Sequence, residues 1–493
     1  MKRIILAGML LIMFFSVYLP ASAEIPQGSL MFSPEDTKEI RQRKMEYNKA
    51  YSILFSTIAS SAAYAPENGI EMAYLHGHGW DFTPHRITDG KTTVHFITAK
   101  GCTAAGRPMY VISFRGSAEK KDWAADFVTG QVVYGGNTLE ETERIAGTRP
   151  GGTKDREMVK VTAKKAGTTT LPKVHKGFNS YADLSLRMLL DSVSYEFLQQ
   201  YRGEKDARLL LTGHSLGGAV ATIVGQRLID FGFDPDRIQV ITFGAPAVGN
   251  KAFKQIYGNR LDLIRVTNTQ DPVPLVLQAV LRNYKQFGEE VRFRIPKTFN
   301  NMNHFLHLYL DSGLKNYYSA VDNAVAEGIM QDWPDMRYSA KGRPVIVLHV
   351  EGNGTVKKDG GASDIETSME LLERFMLNEY KALFPNYVIV RDPADPYEAI
   401  RKYKAKYLLQ LKFHADTNQH NNNWFLTVEQ TLSDKNGNLL SSGSAAKRTS
   451  PLAGNILAAM EVSEVQKSEL LQQMPWLKDD MMKYQEKPAE KDR

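Results

Sequence analysis

Apolar residues in this chain recur in two rhythms, and the alternation between them sets the expected architecture. From Lys44 to Ala65 a helical spacing runs through Tyr51, Leu54, Ile58, Ala62 and Ala65. Thr92–Thr98 and Met109–Phe114 then read as strands on either side of a loop carrying Cys102. A helix is expected from about Ser180 to Tyr201, with Tyr181, Leu184, Met188, Leu189 and Val193 as its core stripe. The run Leu209-Leu-Leu-Thr212 is a buried-type strand, and helix-compatible residues follow from Ala219 to Leu228. Further strands are expected at Ile238–Phe243 and Leu261–Asn268. Strands alternating with helices predict an α/β fold, a mostly parallel sheet with helices on both faces.

The character changes near Asp332-Trp-Pro334. Beyond it lie strands expected at Val345–Val350, Tyr387–Val390, Tyr407–Phe413, Trp424–Leu432 and Leu439–Ser444. Ser363-Asp-Ile-Glu366 is a capping-box signature opening an amphipathic helix through Met369, Leu372 and Phe375. Asp434-Lys-Asn-Gly437 is a hairpin turn signal between the last two strands. A smaller α+β domain is expected here, with no nucleophile, base or metal constellation. The expected division is a signal segment at 1–23, an α/β domain at 24–335, an accessory domain at 340–477 and a charged tail at 478–493.

Length agrees with more than one domain: 493 residues, 43% of them hydrophobic and 10% aromatic, suffice for two cores. Lys2 and Arg3 precede the apolar run Ile4–Leu19, and Ala21-Ser-Ala23 follows. That order is the one a secretory signal peptide has, with cleavage expected before Glu24 and export to the periplasm or the medium. The formal charge of +6 becomes 6 − 2 = +4 without the two signal cations, so no nucleic-acid footprint is expected. Cys102 is the single cysteine, which excludes an internal disulfide. His76-Gly-His78-Gly-Trp80 lacks a neighbouring carboxylate or cysteine cluster and reads as a turn rather than a metal site.

The chemistry gathers around Gly213-His-Ser-Leu-Gly217. A G-x-S-x-G pattern between strand and helix is a nucleophile elbow, which lifts the Ser215 hydroxyl above the sheet. A serine hydroxyl needs a neighbouring base, usually a histidine oriented by a carboxylate. Asp271 stands just past a strand, in the Pro-rich turn Asp271-Pro-Val-Pro274 at the sheet's carboxyl edge. His304 and His307 compete for the base, and their spacing does not separate them. Leu275–Leu281 reads equally as the wall of an acyl pocket or as a core helix.

Taken together, Phe114-Arg-Gly-Ser117 with Asp122-Trp123, His175-Lys-Gly-Phe178, Gly213-His-Ser-Leu-Gly-Gly218, Thr242-Phe-Gly-Ala-Pro246 and Asp271-Pro-Val-Pro274 resemble the class 3, fungal-type triacylglycerol lipases over residues 44–313. The resemblance implies an α/β-hydrolase with nucleophile Ser215, acid Asp271 and base His304, the last from His304-Phe-Leu-His-Leu-Tyr-Leu310, with His307 as fallback. It places the oxyanion donors at the backbone N–H groups of Leu216 and Ser117 and gives His175 a supporting role. It implies a lipid ester substrate, transient contact with a membrane surface, and neither metal nor organic cofactor. Phospholipase A1 and an esterase for soluble esters share the same chemistry. The stretch Trp123–Lys173 is longer than the family pattern and is expected to be an insertion or lid.

Residues 343–446 resemble the small α/β domain at the amino end of the Tol-system translocation protein and of curli-secretion-type envelope proteins. The cues are Tyr387-Val-Ile-Val390, Ala405-Lys-Tyr-Leu-Leu409 and Asn436-Gly-Asn-Leu-Leu440. That resemblance implies docking to an envelope protein; a stabilising appendage is the plainer alternative. A non-enzymatic envelope scaffold with an inactive hydrolase domain is the rival from another functional class.

Overall fold

The computed structural model describes residues 30–65, 69, 71–72, 75, 80–90, 92–102, 107–116, 130–135, 138, 140–141, 153–190, 195–269, 271–281, 283–294, 304–351, 362–418, 423–448, 455–474 and 476–477. The signal segment 1–23, His76, His78, Ser117 and the tail 478–493 lie outside them. Among the described residues no helix is long and apolar enough to cross a membrane. By internal packing the chain divides into two units. One comprises the described parts of Tyr51–Gly69 and Asp81–Gly313, the other those of Met1–Ala50, Ile70–Trp80 and Leu314–Arg493.

The first unit is built on a seven-stranded sheet in the order β1-β2-β3-β6-β7-β8-β9. Its strands are β1 (Asp81–Asp89), β2 (Thr92–Cys102), β3 (Pro108–Phe114), β6 (Arg208–His214), β7 (Ile238–Phe243), β8 (Asp262–Asn268) and β9 (Glu289–Phe293). A two-stranded ribbon, β4 (Gln131–Val133) with β5 (Lys173–His175), lies beside it in sequence. From β3 to β9 every pairing is parallel, and β1–β2 and β2–β3 are antiparallel. The two antiparallel strands form one edge. Strand β1 carries Pro84, which hides it in the sequence, and an edge is where a sheet tolerates proline.

Alternation sorts the side chains of the central strands. Leu209 and Leu211 of β6 join the core cluster of the helix Leu216–Asp230, together with Tyr110, Ile112 and Phe114 of β3. Thr212 turns to the opposite face, where its hydroxyl lies 3.0 Å from that of Ser60 in the helix Lys38–Ala62. Helices therefore cover both faces, as a parallel sheet requires. Leu216–Asp230 is buried at every position but the last, Asp230. The expected single helix from Ser180 to Tyr201 is instead Lys176–Leu190 followed by Tyr195–Gly203, with 191–194 outside the described residues.

Within Trp123–Lys173 the described residues include β4 and a helix, Thr153–Lys165, whose Val159 and Ala163 are buried. Residues 117–129, where a lid is expected, lie outside them. His175 is fully buried, its ring 4.0 Å from that of Phe178 and its amide bonded to Val248 O at 2.9 Å. It props the loop after β7.

The second unit carries a six-stranded sheet, order β10-β12-β11-β13-β14-β15. These strands are β10 (Met336–Tyr338), β11 (Ile346–Glu351), β12 (Asn386–Arg391), β13 (Tyr407–Asn418), β14 (Asn423–Asp434) and β15 (Leu439–Arg448). β11 pairs in parallel with both β12 and β13, and the hairpin β14–β15 is antiparallel. The helices Ala362–Leu383, Pro396–Tyr403 and Asn455–Gln473 complete it.

Candidate active site

The site lies at the carboxyl ends of β6, β7 and β8. β6 runs into Ser215, whose φ of 58° and ψ of −125° are unusual for a residue with a Cβ. Such a conformation costs of order 1–3 kcal/mol and persists where the surroundings over-determine it. Two constraints do so here. The Ser215 amide bonds to Phe243 O at 2.9 Å, and its carbonyl accepts the amides of Gly218 and Ala219. The turn also needs a close approach: a Cβ on Gly217 would stand 2.1 Å from the Phe114 carbonyl oxygen.

β8 ends at Asn268, and the chain turns so that Asp271 faces back over the sheet. Its Oδ1 accepts the Val273 amide at 2.9 Å, and its side chain is fully buried. His304 comes just before the helix Leu306–Ala326. Its Nδ1 lies 2.8 Å from Asp271 Oδ2 and 3.1 Å from Oδ1, and its Nε2 lies 2.9 Å from Ser215 Oγ. Hydroxyl, imidazole and carboxylate are thus in hydrogen-bonding sequence, all three residues buried. The carboxylate accepts the Nδ1 proton, which leaves Nε2 bare and aimed at the serine hydroxyl.

His307 is also buried, and its ring stacks on Phe305 at 5.5 Å. It lies inside the helix Leu306–Ala326, whereas His304 precedes that helix and supplies the imidazole that meets both Ser215 and Asp271. Leu216 opens the helix Leu216–Asp230, so its amide is among the four first-turn donors without an intrahelical acceptor. It points where a helix N-terminus favours negative charge. Leu275–Leu281 belongs to the helix Val273–Leu281: Leu277 is core, whereas Leu275 is 53% exposed.

Several groups inside the motifs have positioning roles that the sequence did not reveal. Tyr309 donates its hydroxyl to Asp271 Oδ2 and accepts the Asn268 amide at 3.2 Å. Gly244, with φ +57°, leaves space for that contact; a Cβ there would stand 2.7 Å from Asp271 Oδ2 and 3.0 Å from His304 Cε1. His214 reaches the His304 carbonyl, and burial holds its imidazole well below the usual histidine range, hence neutral. Among the described residues no cluster of three or more His, Cys, Asp or Glu side chains is disposed to hold a metal ion.

Residues 111–280 match the family model described as Lipase (class 3). Over these residues the chain is similar to the class 3 lipases. Among curated proteins, the chain is similar to Phospholipase A(1) DAD1, chloroplastic, of Arabidopsis thaliana: 30% identical over 185 residues, covering 37% of this chain and 36% of that protein. Phospholipase A1-II 3 of Oryza sativa is 27% identical over 215 residues, covering 40% and 44% respectively. Putative lipase LIH1 of Saccharomyces cerevisiae is 25% identical over 236 residues, covering 48% and 60%. The chain thus spans less than two thirds of the length of each of these relatives. Among solved structures, the Rhizomucor miehei triacylglyceride lipase overlaps 52% of this chain and 81% of its own, at 20% identity and a TM-score of 0.36. At that level the fold rests on the strand order above, not on the overlap.

Proposed function

We propose that the lipase unit is a serine hydrolase of carboxylic esters, exported from the cell and acting on acylglycerol-type lipids. The observation that carries this reading is the hydrogen-bonded run from Ser215 Oγ through His304 to Asp271. In the proposed reaction Ser215 Oγ attacks the ester carbonyl and His304 Nε2 takes its proton. Asp271, held to Nδ1, stabilises the imidazolium. The negative charge that develops on the carbonyl oxygen is received by the Leu216 amide, with the Ser117 amide as the expected second donor. Collapse expels the alcohol, protonated by His304, and leaves an acyl-serine. Water, activated by the same imidazole, then releases the acid and restores the hydroxyl.

Phospholipase A1 activity is the second reading, and it is favoured by the names of the plant relatives. The two differ in head group and share every step at Ser215. Purified protein is therefore to be assayed on triacylglycerol, diacylglycerol, phosphatidylcholine and short p-nitrophenyl esters beside Ser215→Ala. Acyl release from the neutral lipids supports the first reading, and release confined to the sn-1 position of phospholipid supports the second. Absence of hydrolysis and of fluorophosphonate labelling in the wild type leaves the scaffold as the function. Export is tested by fractionating cells and sequencing the mature N-terminus, with Glu24 as the expected first residue. The second unit is proposed to dock an envelope protein, for which cross-linking in intact cells is the direct measurement.

A further inference from the structure

The residue before the nucleophile joins the two loops that the reaction depends on, and the directions of its hydrogen bonds can be worked out. His214 Nε2 lies 2.7 Å from the carbonyl oxygen of His304. A carbonyl only accepts, so the imidazole proton is on Nε2. Nδ1 is then an acceptor, and the group beside it is the Tyr64 hydroxyl at 3.2 Å. Tyr64 must donate to it. Its oxygen is also packed against Gly116, so closely that a Cβ on Gly116 would stand 2.2 Å from Tyr64 Oη. The polarity is fixed along both bonds: Tyr64 O–H to His214 Nδ1, and His214 Nε2–H to His304 C=O, with Gly116 in close contact at the Tyr64 end.

Each end is at a position that matters. Gly116 directly precedes Ser117, the residue whose amide is the expected second oxyanion donor. His304 provides the imidazole that contacts Ser215 Oγ. The series rests on burial as well as distance: His214 is 7% exposed, and its ring lies 4.5 Å from that of His304. In such surroundings an unpaired donor or acceptor is costly, so the bonds hold their partners to one arrangement. The geometry points to Tyr64 and His214 as positioning residues, locking the oxyanion loop at Gly116 and the backbone of the base at His304 to the nucleophile elbow. This rests on the ester-hydrolase reading of Ser215 and His304.

The experiment uses the full chain and p-nitrophenyl butyrate. Tyr64→Phe keeps the ring and removes the hydroxyl that bonds His214 and packs against Gly116. A lost oxyanion donor costs about 10²–10³ in kcat, and a displaced one about 10–10², so kcat is expected to fall in that range with KM within about twofold. His214→Gln keeps a donor at the reach of Nε2 but removes the acceptor for Tyr64, and should show the same defect. Because both break one link, combining them should be no worse than either alone. His214→Asn keeps the acceptor near Nδ1 and loses the donor to His304, so adding Tyr64→Phe to it should multiply the losses. Circular dichroism and melting temperature confirm that the variants fold, and the His214 pair gives the same test should Tyr64→Phe not. If the wild type turns over ester while Tyr64→Phe and His214→Gln keep kcat within twofold, or multiply when combined, the inference is overturned. A wild type that neither hydrolyses ester nor takes a fluorophosphonate label overturns the ester-hydrolase reading instead.

Discussion

Tyr309 and His304 share one oxygen: both donate to Asp271 Oδ2, the tyrosine through its hydroxyl and the histidine through Nδ1 at 2.8 Å. The side chain is fully buried, so its oxygens meet protein donors rather than bulk water. Tyr309→Phe removes one and leaves the Asn268 amide without its hydroxyl acceptor. Hydrogen bonds to charged groups contribute about 1.5–3 kcal/mol, and a stability loss of that size is expected in urea denaturation. If about half reaches the transition state, kcat/KM falls about 4- to 13-fold.

Ser215 should show activity opposed to stability. Its φ of 58° is strain that a residue without a Cβ does not feel. Relief of about 1–3 kcal/mol is offset in part by the greater freedom of glycine in the unfolded chain, about 0.4–1 kcal/mol. Ser215→Gly is therefore expected to be inactive yet more stable than wild type by about 1 kcal/mol, whereas Ser215→Ala is inactive and retains the strain. Differential scanning calorimetry of the two variants distinguishes them; equal melting temperatures would contradict the account.

Stability should fall on the acid side of neutrality through His85. This side chain lies between β1 and β2, bonded to Thr98 Oγ1 at 2.8 Å and stacked on Phe96 at 4.7 Å. Burial lowers its pKa to about 4, against 6.5 in the unfolded chain. The unfolded state therefore binds the proton first as pH falls. The stability present above pH 6.5 is lost progressively down to about pH 4 and levels off, for this group, below that. Urea titrations across the window should show a shallower slope in His85→Gln than in wild type.

The second unit contains its own test of packing. Lys467 is buried beside Glu379, at 2.8 Å, and Glu464. Burial alone would lower its pKa, but the two carboxylates outweigh that and raise it. Lys467→Met strands both carboxylates, and removing one partner of a buried ion pair costs about 3–5 kcal/mol. The unfolding transition of this unit should move to lower urea accordingly. Adding Glu379→Gln and Glu464→Gln should restore much of the loss, and failure to restore it would show that the charges are not the cause.

Much of this protein was open to reading along the chain because its signals are local. The elbow needs only a strand, two glycines and a helix in succession, and those stand together from Leu209 to Leu228. The parallel strands are apolar runs because both of their faces are buried, so β6, β7 and β8 could be bounded closely. Local patterns also gave the strands of the second unit other than the short β10, including the hairpin around Asp434–Gly437. Strands β1 and β9 carry weaker signals, since an edge strand with Pro84 and one with four charged or half-exposed positions lack the continuous apolar run.

Spacing alone left His304 and His307 open; the resemblance favoured His304, and the tertiary structure places its imidazole between Asp271 and Ser215. The roles of Tyr309, Gly244, Tyr64 and His214 were not legible along the chain, although three of them stand inside recognisable motifs, because each acts on a group tens to hundreds of positions away. Residue type and local spacing determine which elements form and which chemistry is available. Convergence of side chains on one atom depends on the placement of whole elements, and only tertiary packing fixes that.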